Sequence, residues 1–183
     1  MLENSLVLIS GIGSRREERL WRGGITDLDE FINAKKLPGI SRSRMPELQE
    51  RAMIAKNRIL AHDYKWIADA LPERDKWRIL PFAIDRTAAL DIECARIGNR
   101  KAPVLVSICH LRRGCITLVR GEDLYRDRLN KLLEEMDVLL TFNGSSFDLP
   151  LLSEAGFRMD RYVHLDLRRY SRRAGLTGGL KCI

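Results

Sequence analysis

The alternation of apolar and polar positions divides the chain into a helical first part and a mixed second part. Up to about residue 75, apolar residues recur every three or four positions, for example Leu48, Ala52, Ala55 and Ile59. This spacing is typical of helices with one buried face. It predicts helices over residues 15–21, 26–34, 45–62 and 64–70, separated by glycine-containing turns.

The pattern changes from about residue 77. Short apolar runs predict strands at 87–92, 104–109 and 114–119, and their short connections indicate an antiparallel meander. A helix over 122–135, an apolar fourth strand over 138–142, and helices over 147–154 and 167–173 complete the pattern. The order βββαβα, then a helix, predicts an α/β fold with a mixed sheet behind a small all-α domain, with the boundary between residues 72 and 81.

Composition narrows the class of protein. No apolar run approaches the roughly 20 residues that span a bilayer, and the acidic start does not resemble a signal peptide, so we expect a cytoplasmic protein without a membrane partner. The net charge of +7 favours nucleic acid as a partner. The same charge also fits a merely basic soluble protein. Because the four cysteines form no C-x-x-C pair, we expect free thiols, although Cys109 and Cys115 are placed for neighbouring hairpin strands.

Two acids lie two residues apart on the first predicted strand. Asp91 and Glu93 would point to the same face, and their mutual repulsion would be offset by a bound divalent cation such as Mg²⁺ or Mn²⁺. The alternative is an exposed strand end with two solvated acids. A second acid, Asp148, follows the turn at Asn143 and opens a helix, where it is either a metal ligand or an ordinary cap, and Asn143 is placed to orient a carboxylate or a water.

Together these motifs resemble those of a known family. Asp91-Ile-Glu93 and Phe142-Asn-Gly-x-x-Phe-Asp148-x-Pro-Leu-Leu are similar to the first two motifs of DEDD-type 3′–5′ exonucleases, most of all their YprB-type ribonuclease H-like branch. The segment from His164 to Arg172 resembles the strand-to-helix segment that follows in that branch, and Leu180 to Cys182 resembles the start of its next conserved stretch. The resemblance implies a ribonuclease H-like exonuclease domain over residues 84–183. It also implies two divalent metals, Mg²⁺ or Mn²⁺, held by Asp91, Glu93 and Asp148, which would be the catalytic residues.

The chain departs from that family in two ways. Cys94 stands where relatives have Thr, and the last family ligand, an Asp with a neighbouring Tyr or His, belongs beyond the final residue, Ile183. We therefore expect this domain to lack its C-terminal motif. Asp166 is the nearest acid that would substitute, although a helix cap is the first interpretation of it, and His164 is either a proton-transfer group or a packed histidine.

The helical first part, residues 1–75, contains a glycine turn that resembles a helix-hairpin-helix motif. Gly11-Ile-Gly13 opens a helix, and Arg15 and Arg16 lie beside it, so backbone N–H groups and cations would contact phosphate without reading sequence. Residues 37–44 resemble a weaker second copy. The alternative is a tight turn in a purely structural cap.

Three functions remain open at this stage. The sequence favours a metal-dependent nuclease acting on DNA or RNA. The alternatives are an inactive nucleic-acid-binding module that keeps the fold, and an incomplete enzyme completed by a partner chain, for which an unpaired sheet edge favours a homodimer.

Overall fold

The computed structural model describes residues 2–180, and the chain falls into two compact units, residues 1–82 and 83–183. Lys181, Cys182 and Ile183 lie outside the described residues, and with them most of the segment that resembles the last family stretch. No helix within residues 2–180 is long and apolar enough to cross a membrane.

The first unit is built from helices. They are α1 (Ser14–Arg22), α2 (Leu28–Asn33), α3 (Met45–Leu60) and α4 (Tyr64–Ala70), with short 3₁₀ turns at Leu2–Asn4, Leu6–Leu8 and Lys76–Ile79. Leu20, Phe31 and Leu48 are among its fully buried side chains, at the positions where the helical spacing repeats. The carboxylate of Glu17 is buried in the same unit, and both of its oxygens accept hydrogen bonds from Arg78, at 2.9 and 3.0 Å.

The second unit is a five-stranded mixed sheet with helices. Its elements are β1 (Thr87–Ile97), β2 (Arg100–His110), β3 (Gly114–Val119), α5 (Arg126–Leu133), β4 (Val138–Thr141), α6 (Asp148–Glu154), β5 (Val163–Asp166) and α7 (Leu167–Arg173), after a 3₁₀ turn at Ile84–Arg86. The strand order is β3-β2-β1-β4-β5. β1, β2 and β3 pair antiparallel, whereas β4 is parallel to β1 and to β5.

The core of this unit covers one face of the sheet. Leu90 and Ile92 of β1 lie in it with Val106 and Ile108 of β2, against Leu129 and Leu133 of α5. Alternate residues of these strands point away from the core, which leaves the opposite face of β1, β2 and β3 more exposed. The acids of β1 lie on that exposed face.

Four expectations need correction. The first two strands are longer than the 87–92 and 104–109 expected, because they pair as one hairpin that continues to Ile97 and Arg100, so Asp91 and Glu93 lie within β1 and not at its end. The sequence order omitted β5, a four-residue strand that pairs with β4 before α7 begins. The helix expected from residue 122 begins only at Arg126, because the carboxylate of Asp123 accepts the Val119 N–H at 2.7 Å and holds the preceding residues in a turn. Cys109 and Cys115 were expected to be free, but they face each other on β2 and β3, with Cα atoms 4.0 Å apart, and form a disulfide.

Candidate functional site

The first strand presents two carboxylates on one face. Asp91 and Glu93 are exposed, and Leu90 and Ile92 between and beside them are buried, so the predicted alternation is present along β1. Cys94, where the family resemblance leads us to expect Thr, packs against the apolar core and is a free thiol. This substitution therefore lies on the core side of β1 rather than beside the two acids.

The turn after β4 has a sharply constrained backbone. Asn143 adopts a left-handed conformation with φ of 68°, and the Gly144 N–H donates to the Thr141 hydroxyl at 3.0 Å. A Cβ atom at position 144 would lie 2.3 Å from that hydroxyl oxygen, so only glycine fits there. The turn places the start of α6 next to β1.

Asp148 is the residue that joins the two motifs. One oxygen of its buried carboxylate accepts the Ile92 backbone N–H at 3.1 Å, directly between Asp91 and Glu93 in sequence. Burial raises the pKa of Asp148, and repulsion from Asp91 and Asp166 adds to the rise, although hydrogen bonds from its own N–H and from Ile92 oppose it. Asp91 within β1 and Asp166 at the end of β5 thus lie near enough to influence the charge of Asp148 at the start of α6.

Asp166 has a different environment. It is the N-cap of α7, where it accepts the Arg168 N–H at 3.1 Å, and it also accepts hydrogen bonds from the Asn143 N–H at 2.7 Å and the Ser145 hydroxyl at 2.5 Å. Burial alone would raise the pKa of Asp166, but these hydrogen bonds outweigh burial and lower the pKa. Asp166 therefore holds the 143–145 turn in place as an ionised carboxylate.

His164 and Asn143 also make structural contacts. The Nε2 atom of His164 lies 2.8 Å from the Thr141 hydroxyl, which ties β5 to the end of β4. The side-chain oxygen of Asn143 accepts from the Arg168 guanidinium at 2.5 Å, so its amide group is held by α7. It is the backbone N–H of Asn143, and not its side chain, that meets a carboxylate.

The acidic residues fit a hard divalent cation in their donor type, because every available ligand atom is a carboxylate oxygen. Burial raises the pKa of Asp148 most and the charges of Asp91 and Asp166 add to the rise, and a bound cation would oppose both effects. Within residues 2–180, however, no three Asp, Glu, His or Cys side chains are gathered closely enough to form a metal-binding group. Asp91 and Asp148 approach each other, whereas Glu93 remains on the exposed face with Asp91.

The glycine turn of the first unit lies where helix α1 begins. Gly11 has a positive φ of 99°, and Gly13 is the N-cap of α1. The Arg16 guanidinium donates to the Gly11 carbonyl, so Arg16 braces the turn, whereas Arg15 is exposed. Arg15, Arg16, Arg19 and Arg74 line one depression together with Gly13, Ser14 and Glu18.

Sequence reasoning missed several residues of the sheet end. Ser145 and Arg168 hold Asp166 and Asn143, but they lie more than 20 residues from their partners, and no spacing rule indicates such contacts. Ser107 on β2 pairs with Asp91, and Thr117 on β3 pairs with Ser107, with the two hydroxyls 2.9 Å apart. The hairpin turn at residues 111–113 would have revealed this pair, since a fixed turn fixes the register of both strands.

The mixed sheet and its acidic end are compatible with a ribonuclease H-like nuclease fold. The RNase_H_2 family model, described as the RNase H superfamily, matches residues 89–183, just over half of the chain. The chain therefore belongs to the RNase H superfamily. Domains of this superfamily act on nucleic acids, and its nucleases generally use divalent metals. Comparisons with curated proteins and with solved structures give no significant match.

Proposed function

We propose that residues 84–183 form a metal-dependent nuclease domain of the 3′–5′ exonuclease type, with Asp91, Glu93 and Asp148 as ligands of Mg²⁺ or Mn²⁺. The observation that supports this most is the hydrogen bond from Ile92 to Asp148. It fixes a carboxylate from the start of α6 against the strand segment that carries the other two acids. Membership of the RNase H superfamily supports the nuclease class.

Each residue has a defined task in this proposal. Bound divalent ions would clamp the scissile phosphate, activate a water and stabilise the leaving oxygen. Asp91 and Glu93 present exposed carboxylates to the substrate side of the sheet, and Asp148 supplies a third from a buried position. Asp166 and Arg168 hold the turn that aims α6, so they act through Asp148 rather than on the substrate.

The first unit, residues 1–75 in this proposal, is a helix-hairpin-helix-like domain that binds the phosphate backbone. Its support is the positive-φ Gly11, the Gly13 cap and the arginines that line the depression at the start of α1. Backbone N–H groups at a helix start favour phosphate without reading sequence.

The test combines metal binding and cleavage. Calorimetry with Mn²⁺ and with Mg²⁺, and degradation of 3′- and 5′-labelled single-stranded DNA and RNA, should show metal-dependent shortening from the 3′ end by the wild-type chain. Asp91→Asn should abolish both signals. Asp85→Asn is the matched control, because Asp85 is an exposed acid of the same unit whose partner is Arg112 at the 110–114 turn. Cleavage that persists in Asp91→Asn would contradict the assignment of Asp91 as a metal ligand.

A second candidate is an inactive nucleic-acid-binding module that keeps the nuclease fold. It is favoured by one observation, that residues 2–180 contain no ready-made group of three metal-binding side chains. This candidate predicts oligonucleotide binding with no metal-dependent heat and no cleavage. If cleavage appears only at protein concentrations where light scattering reports a dimer, a second copy of the chain contributes to the site.

A further inference from the structure

The hairpin between β1 and β2 extends well past the carboxylates and is basic at its tip. The two strands turn at Gly98 and Asn99, and Arg96, Arg100 and Lys101 flank this turn. All three cationic side chains are exposed. We refer to Arg96, Arg100 and Lys101 as the basic hairpin.

Strand register locates these cations relative to the acids. Ile97 has the same parity along β1 as Asp91 and Glu93, and Arg100 is its direct partner on β2. Directly paired residues share a face, so Arg100 projects from the carboxylate face. Four residues of strand separate Glu93 from Ile97, which places Arg100 about 13 Å beyond Glu93.

The other two members face the start of α6. Arg96 pairs with Lys101, and the Lys101 ammonium lies 5.9 Å from the centroid of the Phe147 ring. Phe147 is partly exposed and directly precedes Asp148. The ammonium group of Lys101 therefore lies over an aromatic ring next to Asp148 in sequence.

The charges of the basic hairpin are uncompensated. Among residues 2–180, none of its three members forms an ion pair. At the other end of the same strand the situation is reversed, since Arg112 pairs with Asp85 and Arg113 pairs with Glu135. The groove beside the hairpin adds Arg120 and a single acid, Glu154. Mutually repelling cations at a strand tip favour an anionic partner.

We propose that the basic hairpin binds the phosphate backbone of a single-stranded nucleic acid whose end lies at Asp91, Glu93 and Asp148. This inference rests on the proposed nuclease function and adds the path of the substrate. A positive track beside an aromatic side chain is the arrangement with which proteins hold single strands without reading sequence. The basic hairpin would also offset the repulsion between the substrate phosphates and the carboxylates, because the bound nucleic acid would pass from the acids to the cations.

The experiment measures the salt dependence of binding in the full chain. Labelled single-stranded DNA and RNA are titrated in EDTA between low and moderate salt. Arg96→Gln with Arg100→Gln should weaken binding about tenfold near 0.1 M salt and reduce the slope of log K against log salt by about 1.4, since each lost phosphate contact is worth roughly 0.7. Lys101→Gln alone should reduce the slope by about 0.7.

The matched control removes two arginines at the opposite end of β2. Arg112→Gln with Arg113→Gln should leave the slope unchanged, because both side chains are engaged with acids. Equal slopes for the hairpin variant and the wild type would overturn the inference, as would equal losses in the hairpin and control variants. Melting curves check that each variant is folded.

The two proposals fail in distinguishable ways. If the wild type neither binds metal nor cleaves, the nuclease proposal fails, yet the hairpin slopes are still measured in EDTA. If the wild type cleaves and the hairpin variants bind like the wild type, the nuclease proposal stands and only the substrate path is wrong. When both hold, the hairpin variant should raise KM for cleavage with little change in kcat.

Discussion

Asp148 and Asp166 are both buried acids at the carboxylate end of the sheet, but their surroundings shift their pKa values in opposite directions. Asp166 accepts hydrogen bonds from two backbone N–H groups of the 143–145 turn and from Ser145, which stabilise its charge. Burial disfavours the charge of Asp148 most, and the charges of Asp91 and Asp166 add to this effect, although the Ile92 N–H donates to the carboxylate. The charged form is therefore stabilised at Asp166, whereas at Asp148 it destabilises the folded state.

Asp148→Asn should consequently stabilise the metal-free protein. The raised pKa means that the folded state holds the proton of Asp148 at pH values where the unfolded chain has lost it. The stability contributed by this proton is complete below the unfolded pKa and is lost as the pH rises through the folded pKa. In EDTA at neutral pH, thermal melting should therefore show a Tm a few degrees higher for Asp148→Asn than for the wild type.

The difference between the two proteins should shrink as the pH falls below the ordinary carboxyl pKa, where both are uncharged at position 148. Adding Mn²⁺ should raise the Tm of the wild type and leave that of Asp148→Asn nearly unchanged. Asp85→Asn serves as control, since that acid is exposed and paired with Arg112. If Asp148→Asn is less stable than the wild type in EDTA at neutral pH, the charged carboxylate of Asp148 stabilises the folded state, and the prediction is wrong.

At the scale of elements, the sequence predicted helices and strands best where the apolar spacing and the turn-forming residues at both ends indicate the same bounds. The bounds of α4, β3 and α7 are those that the apolar spacing and the flanking turns indicate. β5 was absent from the order that periodicity predicts, because four residues, two of them His and Asp, carry no strand pattern of their own, and only the family resemblance indicated a strand-to-helix segment there. This strand exists through its pairing with β4, a contact between segments about 25 residues apart.

The same limit applies to the candidate site. The common face of Asp91 and Glu93 follows from the two-residue period of a strand, so it was predictable. The approach of Asp148 to Ile92 depends on Asn143 and Gly144 adopting one particular turn, and the network around Asp166 depends on β5 lying beside β4. The local sequence pattern predicts which residues of one strand share a face. The contacts between residues of different strands and helices are visible only in the folded structure.

The disulfide between β2 and β3 should stabilise the folded protein. Cys109→Ser with Cys115→Ser should lower the free energy of unfolding by about 2 kcal/mol under oxidising conditions, because the bond closes a short loop of the unfolded chain. Under a strong reductant the variant and the wild type should have equal stability. Chemical denaturation with and without reductant measures both values.

Alkylation followed by peptide mass mapping gives the control for that experiment. Without reductant, Cys94 should react and the two hairpin cysteines should not, since Cys94 is a free thiol at an intermediate depth. Ser107→Ala with Thr117→Ala is the matched variant, because these residues form the next cross-strand pair on the same face and should show no dependence on reductant. Full labelling of Cys109 without reductant would contradict the disulfide and would show that Cys109 and Cys115 are free thiols, as the sequence predicted.

At the scale of the whole molecule, the cations that give the net charge of +7 are not evenly distributed. Each unit has its own local concentration of cations. In the first unit it is the arginine-lined depression at the start of α1, and in the second it is the basic hairpin. If both proposed surfaces bind the phosphate backbone, the salt dependence of binding should divide into two independent parts.

The first of those parts can be tested at Arg15. In the full chain, Arg15→Ala should reduce the slope of log K against log salt by about 0.7 for single strands, as expected for one phosphate contact. Arg22→Ala is the matched control, since Arg22 lies on the same helix, is 3.9 Å from Glu18, and stands at the end away from the glycine turn. Arg16→Ala should in addition lower the Tm, because Arg16 donates to the Gly11 carbonyl and braces the turn.

Combining Arg15→Ala with Arg96→Gln and Arg100→Gln then decides whether both surfaces contribute to binding. For one oligonucleotide titrated against every variant, the reductions in slope should add if both surfaces contact it, since mutations without shared contacts behave additively. If Arg15→Ala behaves like Arg22→Ala, the helices of the first unit are scaffolding and the nucleic-acid contacts belong to the second unit alone.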